Sequence, residues 1–187
     1  MVLARRHSAH DPPMIGGADT TIGQISGRWW LLHTMARNEK ALACDLQAMQ
    51  VAFFLPLVQI TRRYGHRRFD LRIPLFPGYL FCACASDSQR YQVLSTQRVA
   101  NLVSVEDQER LKAELEQILR ALHEPNKIDL FAGLRTGRRC RVTAGSLKGL
   151  EGVVITRKGM SRLFLDVSIL GQSAVVEIDP MHVEPID

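Results

Sequence analysis

The chain has 187 residues, of which 46% are hydrophobic and 23% are charged, and its formal net charge is +5. This length accommodates one ordinary domain or two small ones, and the composition excludes a fibrous, collagen-like or largely disordered chain. The sequence contains no apolar run of the ~20 residues that a membrane-spanning helix needs, and it begins without an apolar signal core. We therefore expect a cytoplasmic protein that makes no membrane contact.

The four cysteines are scattered along the sequence as Cys44, Cys82, Cys84 and Cys140. Their spacing lacks the C-x2-C pairs of a zinc ribbon, so we interpret them as reduced core residues and predict no metal site and no cofactor. Cys82 and Cys84 would point to the same face if they lie on one strand. A metal or redox pair is the alternative interpretation of these two cysteines.

The first 27 residues are polar and rich in Gly and Pro, without a period of two or 3.6, which predicts a disordered tail. The aromatic and aliphatic run from Trp29 to His33 then predicts a buried strand. The next stretch, RNEKALACDLQAMQ, repeats apolar residues at helical spacing behind Asn38, a residue type that favours helix starts. We expect an amphipathic helix there.

Two runs of strand-like composition, VAFFLPLVQITRRY and HRRFDLRI, lie on either side of Gly65 and predict a long β-hairpin with its tip near that glycine. The next stretch, LRIPLFPGYLFCACAS, is apolar but interrupted. Pro74 and Pro77 would end one strand, and Gly78 would permit a turn. Residues 79–85 would then form the next strand.

Ser86 is placed to begin a short helix, RVANLVSV predicts another strand, and leucines at helical spacing predict a helix from Glu106 to Leu122. This order predicts an α+β fold in which helices pack on an antiparallel sheet. Residues 138–187 instead hold short β-branched runs separated by glycines. They predict a small β-barrel that has no helical alternative state.

Four stretches give the chain a resemblance to NusG-type transcription elongation factors, the NusG/RfaH family: RWWLL, LFPGYLF, QRVANLV and GRRCRVTAGSLKGLEGVV. The last resembles a KOW motif, whose pattern is matched by Val142, Gly145, Lys148, Gly149, Gly152 and Val153. The resemblance extends from Arg28 to Ile186. It implies an amino-terminal NGN domain with an antiparallel sheet flanked by helices (28–123), a linker (124–136) and a carboxy-terminal KOW β-barrel of SH3-like fold (137–187).

The resemblance also implies a function. Proteins of this family are transcription elongation and antitermination factors that bind RNA polymerase at the clamp helices of the β′ subunit. They bridge the DNA channel toward the β subunit and modulate pausing and termination, while the KOW domain recruits Rho or a small-subunit ribosomal protein. We expect a monomeric, non-enzymatic binding protein and, because the hairpin and the tail diverge from the general factor, a specialised paralogue.

For the polymerase interface, the resemblance implicates the aromatic residues Trp29, Phe76 and Tyr79. We expect Trp29 and Tyr79 to be at least partly exposed on the docking face, and Trp30 to pack inward by strand alternation. We also expect the carboxy-terminal domain, on a flexible linker, to leave this face open. Burial of all these aromatic residues in the core is the alternative interpretation.

The hairpin residues 62–72 include five arginines and one aspartate, which amounts to four of the five net positive charges. Charge runs are usually solvated, but arginines beside aromatic rings also suit phosphates and bases of single-stranded DNA. The resemblance places this hairpin near the upstream DNA fork and implies contact with non-template DNA. The residues concerned are Arg62, Arg63, His66, Arg67 and Arg68.

Two other matches to the family are partial. Ser95 and Thr96 stand where RfaH-like relatives carry a Thr-rich contact to the β-subunit gate loop, and a helix end leading into a strand is the interpretation that we favour. Ile169, Leu170 and Gln172 stand in the loop that binds the KOW partners, where the general factor has Ile-Phe-Gly-Arg. Leu170 keeps an apolar side chain, but the lost ring and charge leave the recruitment of either partner open.

The residue pattern gives no support to an enzyme. No nucleophile triad, H-E-x-x-H motif or phosphate-binding glycine loop is recognisable, so no catalytic residues are predicted. The rival to a transcription factor is a KOW-containing RNA-binding protein of the ribosome or of its assembly, which the positive net charge would permit. That alternative leaves the LFPGYLF stretch unexplained.

Overall fold

The computed structural model describes residues 11–16, 21–64, 67–123, 128–132, 135, 137–157 and 160–186. Within these ranges the chain forms three α-helices and three antiparallel sheets, which confirms the predicted α+β fold. None of the helices in these ranges is long and apolar enough to cross a membrane.

A five-stranded sheet forms the centre of the amino-terminal part. Its strands, in spatial order, are β1 (Ile15–Gly16), β3 (Ala52–Phe54), β6 (Tyr79–Cys84), β2 (Arg28–Thr34) and β7 (Val99–Ser104). All neighbouring strands run antiparallel, and Trp30 lies opposite Cys82 on one side and Ser104 on the other. The buried strand predicted from Trp29 to His33 is therefore the centre of β2.

Three helices pack on this sheet: α1 (Glu39–Ala48), α2 (Asp87–Ser95) and α3 (Gln108–His123). Helix α2 begins as predicted, because the Ser86 side chain accepts a hydrogen bond from the backbone N–H of Gln89 at 3.3 Å. Asn38 occupies the N-cap position of α1, but its side chain does not cap the helix. It hydrogen-bonds instead to the Ala36 carbonyl and to the Arg98 guanidinium.

The two faces of the sheet are covered by different helices. One apolar cluster joins the sheet to α1 and α2, and its members include Leu32, Leu42, Leu46, Leu80, Cys82 and Val93. A second cluster joins the opposite face to α3, and its members include Trp29, Leu31, Phe81, Leu111, Leu115 and Ile118. Because side chains alternate along a strand, the neighbours Trp29 and Trp30 lie on opposite faces.

The segment before β2 is part of the fold where it is described. β1 pairs with β3, and a 3-10 turn at Ile22–Gln24 packs against α3, so that Ile22 and Ile25 are buried. The expected disordered tail over residues 1–27 is therefore wrong for residues 11–16 and 21–27, and the rest of it lies outside the described residues. Isolated isoleucines give no periodic signal, which is why the sequence pattern does not reveal this packing.

The predicted hairpin is a separate two-stranded sheet of β4 (Leu57–Tyr64) and β5 (Arg67–Pro74). Its strands pair from Leu57 opposite Pro74 at the base to Tyr64 opposite Arg67. Gly65, the predicted tip, lies outside the described residues.

Six strands form the carboxy-terminal sheet, in the spatial order β13 (Val183–Pro185), β9 (Arg139–Val142), β10 (Glu151–Arg157), β11 (Met160–Val167), β12 (Gln172–Ile178) and β8 (Ile128–Phe131). The described part of residues 137–186 contains no α-helix, as predicted. β10 approaches β11 closely at Gly152, where a Cβ would lie 2.2 Å from the Phe164 carbonyl oxygen. In this order β13 and β8 have one hydrogen-bonded neighbour each, and closure into a KOW barrel stays a prediction.

Helix α3 lies between the two large sheets. The apolar cluster on its side extends into the carboxy-terminal sheet through Leu147, Leu150, Leu163, Leu165 and Val167. A polar contact adds to this packing, because the Gln117 side chain accepts a hydrogen bond from the Glu151 backbone N–H at 2.7 Å. β8 lies within the expected linker and pairs with β12. The carboxy-terminal sheet therefore packs on α3, and the expectation that it leaves the docking face open stays a prediction.

Candidate functional site

The turn of the LFPGYLF stretch connects β5 to β6 and is held from two sides. The backbone N–H of Gly78 donates to Glu39 Oε1 at 2.7 Å, and the Gly78 carbonyl accepts from the Thr34 N–H at 2.8 Å. Glu39 is the first residue of α1 and is buried. Gly78 has a φ of +85°, a left-handed conformation that glycine adopts readily. The turn is therefore fixed to both α1 and the end of β2.

The aromatic residues near this turn differ from the expectation in one respect. Tyr79 is partly exposed as predicted, and its ring stacks on His33 with the ring centroids 5.1 Å apart. Trp29 and Phe76, however, are 0% and 1% exposed, and Trp30 is only half-buried. The predicted alternation of the two tryptophans holds with its sides reversed. The reason is that α3 and the segment before β2 cover the face on which Trp29 lies.

An apolar groove of about 640 Å³ lies beside this turn. The hairpin base and the turn form one wall, with Leu57, Val58, Ile60, Ile73, Pro74, Leu75 and Pro77. The end of α3 and strand β8 form the other wall, with Leu122, Ile128 and Leu130. Polar lining comes from Gln59, Thr61 and Asp129. An open groove with this lining can bury the apolar face of a protein partner, such as a helix.

The hairpin continues the apolar wall of the groove toward its tip. Ile60 lines the groove and lies opposite Leu71, and Phe69 follows on the same face as Leu71. Phe69 and Leu71 are exposed, which is unusual for side chains of their size. Thr61, which also lines the groove, donates its hydroxyl to Asp70 at 2.6 Å.

The structure describes only some of the residues predicted to contact nucleic acid. Arg62 and Arg63 are exposed and, as neighbours on β4, point to opposite faces of the hairpin. The backbone of Arg68 pairs with that of Arg63. The side chains of Arg67 and Arg68, and the whole of His66, lie outside the described residues. The described arginines lie toward the tip, beyond the groove.

The hydroxyl groups of Ser95 and Thr96 are engaged at the end of α2. Ser95 Oγ donates to the Gln92 carbonyl at 2.7 Å, and Thr96 Oγ1 donates to the Val93 carbonyl at 2.8 Å. Thr96 Oγ1 also accepts from the Arg98 N–H at 3.3 Å. This is the arrangement of a helix end that leads into a strand, as favoured above.

The predicted KOW partner loop lies against α3. Ile169 and Leu170 form part of a 3-10 turn between β11 and β12, and Gln172 begins β12. All three residues are half-buried. The neighbouring Ser168 donates its backbone N–H to Glu114 on α3 at 3.0 Å. No sequence pattern indicates this contact, because Glu114 on α3 and Ser168 in the 3-10 turn are 54 positions apart.

A second cleft, of about 290 Å³, lies where β2, the end of β6 and the start of α2 meet. Its lining residues are Arg28, Trp30, Cys84, Ala85, Ser86, Asp87 and Arg90. The guanidinium groups of Arg28 and Arg90 lie 5.2 and 5.3 Å from the centre of the Trp30 ring. The sequence analysis missed this cleft because its residues come from three separate elements and meet only in the fold.

The cysteines follow the prediction except at one position. The Sγ atoms of Cys82 and Cys84 lie 3.9 Å apart on one face of β6. The hydrogen bond with Cys82 lowers the pKa of Cys84, burial opposes this change, and the charge of Arg90 adds to the lowering. The same hydrogen bond, together with burial, raises the pKa of Cys82. Cys140 is buried, whereas Cys44 is exposed and is therefore not the core residue that we expected.

A comparison with known protein families identifies the amino-terminal part of the chain. The sequence profile of the family described as "Transcription termination factor nusG" matches residues 27–120, half of the chain. The matched part runs from β2 into α3 and includes the hairpin, the LFPGYLF turn and the second cleft. A comparison with curated protein sequences gives no match. The chain belongs to the NusG family of non-enzymatic transcription elongation and termination factors, which bind RNA polymerase.

Proposed function

We propose that the chain binds the clamp helices of the β′ subunit of RNA polymerase, bridges the DNA channel toward the β subunit and thereby modulates pausing and termination. Family membership supports polymerase binding in general. The observation that supports this particular contact is the apolar groove beside the LFPGYLF turn. The rival role of a ribosomal KOW protein is less well supported, because the family match covers β2 to α3, outside the KOW-like stretch.

Within this contact, Tyr79 is the residue that we assign to direct binding. Its ring is partly exposed and is held in place by His33, so that little side-chain freedom would be lost on binding. Phe76 is buried in the turn itself and Trp29 is buried near the start of β2, so neither ring is assigned to direct binding. A contact of Ser95 and Thr96 with the β-subunit gate loop forms part of the same proposal, with Ser95 exposed.

The carboxy-terminal sheet has a bearing on this docking. β8 forms part of one wall of the groove, and α3 contributes Leu122 to the same wall. Each β′ clamp helix is about 10–12 Å across with its side chains. The pair of helices would therefore extend beyond the groove toward α3. We therefore propose that full engagement of polymerase moves the carboxy-terminal sheet off α3, which exposes the turn at Ile169–Gln172 for a second factor, Rho or a ribosomal protein.

The hairpin completes the proposal. Arg62 and Arg63 are exposed beyond the groove. Polymerase bound at the groove would therefore lie next to these two arginines. We propose that they contact the phosphates of the non-template DNA strand, together with His66, Arg67 and Arg68. Such contacts would be sensitive to salt and largely independent of sequence.

The experiment is a binding titration with an isolated β′ clamp-helix fragment. Tyr79→Ala should weaken binding by about 2 kcal/mol, or roughly 30-fold, because it removes an aromatic anchor at a groove. Tyr91→Ala is the matched control, since Tyr91 is 64% exposed and lies on α2 rather than at the LFPGYLF turn. Equal affinities of the wild type and the Tyr79→Ala protein, with unchanged circular dichroism, would contradict the assignment.

A further inference from the structure

We propose that the cleft at Arg28, Trp30 and Arg90 binds a phosphate group of single-stranded nucleic acid. The two guanidinium groups converge on one indole ring, which brings two positive charges to the same small cleft. Asp87 contributes the acidic group in its described lining. The cleft therefore carries a net positive charge, and it would be a second nucleic-acid contact in addition to the hairpin.

Arg90 has an unused donor in this cleft. Its Nη2 lies 3.2 Å from Asp87, but its Nε is buried and has no hydrogen-bond partner among the residues that the structure describes. A buried donor without a partner is energetically unfavourable. Phosphate oxygens match the fork of N–H groups on arginine, so a phosphate that draws the Arg90 guanidinium into the cleft would supply the missing acceptor.

Arg28 is placed to share the same anion. One of its terminal nitrogens donates to Ser104 Oγ at 3.1 Å, which orients the guanidinium beside Trp30 without neutralising its charge. The cleft also includes Ser86 and Asp87, where α2 begins, and the positive end of the helix dipole adds to the attraction for an anion. A cleft of about 290 Å³ accommodates a phosphate with part of a sugar.

The aromatic surroundings favour nucleic acid over a free phosphate ion. Tyr91 is 64% exposed, and the Arg90 guanidinium lies 5.4 Å from its ring centre, so an open aromatic face stands next to the proposed phosphate position. Single-stranded nucleic acid is bound in this way, with bases stacked on aromatic rings and phosphates on arginines. A free phosphate would gain nothing from Tyr91.

Cys84 offers a direct readout because it lines the cleft and is 6% exposed, whereas Cys44 is exposed elsewhere. We would alkylate the full chain with and without an oligothymidylate and measure both cysteines by mass spectrometry. At an oligonucleotide concentration about ten times Kd, Cys84 should react about tenfold more slowly, since only the unoccupied fraction reacts. The reaction of Cys44 should not change.

The variants separate this cleft from the hairpin. Arg28→Gln/Arg90→Gln should abolish the protection of Cys84 and lower the salt slope of binding by about 0.7 for one lost phosphate. Arg28→Lys/Arg90→Lys retains the charges without the fork, guards against a folding defect and should keep part of the protection. Arg62→Ala/Arg63→Ala tests the hairpin and should keep protection at saturation. The matched control Arg162→Gln removes an exposed arginine of β11.

Four outcomes would overturn the proposal. Absent protection in the wild type, or unchanged protection in Arg28→Gln/Arg90→Gln, would show that nucleic acid does not occupy the cleft. Protection by inorganic phosphate but not by oligothymidylate would assign the cleft to a free ion. Equal protection by polyglutamate would assign it to an acidic protein partner. If Arg62→Ala/Arg63→Ala bound oligothymidylate as tightly as the wild type while Cys84 stayed protected, the hairpin contact would be refuted and this inference would stand.

Discussion

Glu114 on α3 accepts two hydrogen bonds from Ser168, one from the backbone N–H at 3.0 Å and one from the hydroxyl at 2.5 Å. Arg110 pairs with the same carboxylate at 3.0 Å. The Glu114 side chain is only 12% exposed, so its charge is compensated largely by these partners. This carboxylate is a point at which the carboxy-terminal sheet is attached to the amino-terminal part.

Glu114→Gln should loosen this attachment, because it replaces charge-assisted hydrogen bonds by neutral ones and costs about 1 kcal/mol. The Ser168 amide should then exchange with solvent about fivefold faster. Glu109→Gln is the matched control on the same helix, since its carboxylate is 84% exposed. Equal exchange of the Ser168 amide in the wild type and Glu114→Gln would contradict a role for Glu114 in holding the two parts together.

The close approach of β10 and β11 can be tested at Gly152. A methyl group there would lie 2.2 Å from the Phe164 carbonyl oxygen, and a backbone atom cannot move aside without separating the strands. Gly152→Ala should therefore lower the free energy of unfolding by about 2 kcal/mol, measured by urea denaturation. Gly23→Ala, where no atom lies within 4 Å, should be close to neutral. Equal stabilities of the two variants would refute the close approach.

The sequence predicted the elements well where a local rule decides them. Ser86 begins α2, and the glycine and prolines of the LFPGYLF stretch separate β5 from β6. Alternation placed Trp29 and Trp30 on opposite faces, but it could not say which face α3 covers, because that depends on residues 79 positions away such as Gln108. The second cleft and the Glu114–Ser168 contact could not be predicted for the same reason, because both depend on packing between residues that are far apart in the sequence.

The reactivity of Cys84 should depend on its neighbours. The Cys82 hydrogen bond and the Arg90 charge both favour the Cys84 thiolate, so removing either one should raise the pKa of Cys84. Cys82→Ala should raise this pKa more than Arg90→Gln, because the hydrogen bond is the larger effect. The rise in alkylation rate with pH should shift to higher pH in both variants. An unchanged pH profile in Cys82→Ala would contradict the hydrogen bond.

The hairpin arginines should contribute through charge. Arg62→Ala/Arg63→Ala should reduce the salt dependence of DNA crosslinking to a paused polymerase complex by a slope of about 1 to 2, because two phosphate contacts are lost. Arg139→Ala/Arg162→Ala removes two exposed arginines of the carboxy-terminal sheet and serves as the control. A crosslinking pattern that is the same for all three proteins would show that the hairpin arginines are merely solvated.

The most direct measurement of the central claim is site-specific photo-crosslinking to intact RNA polymerase. A photoreactive phenylalanine analogue would replace Tyr79, directly after the LFPGYLF turn, in one protein and the exposed Tyr91 on α2 in another. The account predicts that position 79 crosslinks to the β′ clamp helices and that position 91 does not. Crosslinks from position 79 to another subunit, or none in a complex that still forms, would contradict it.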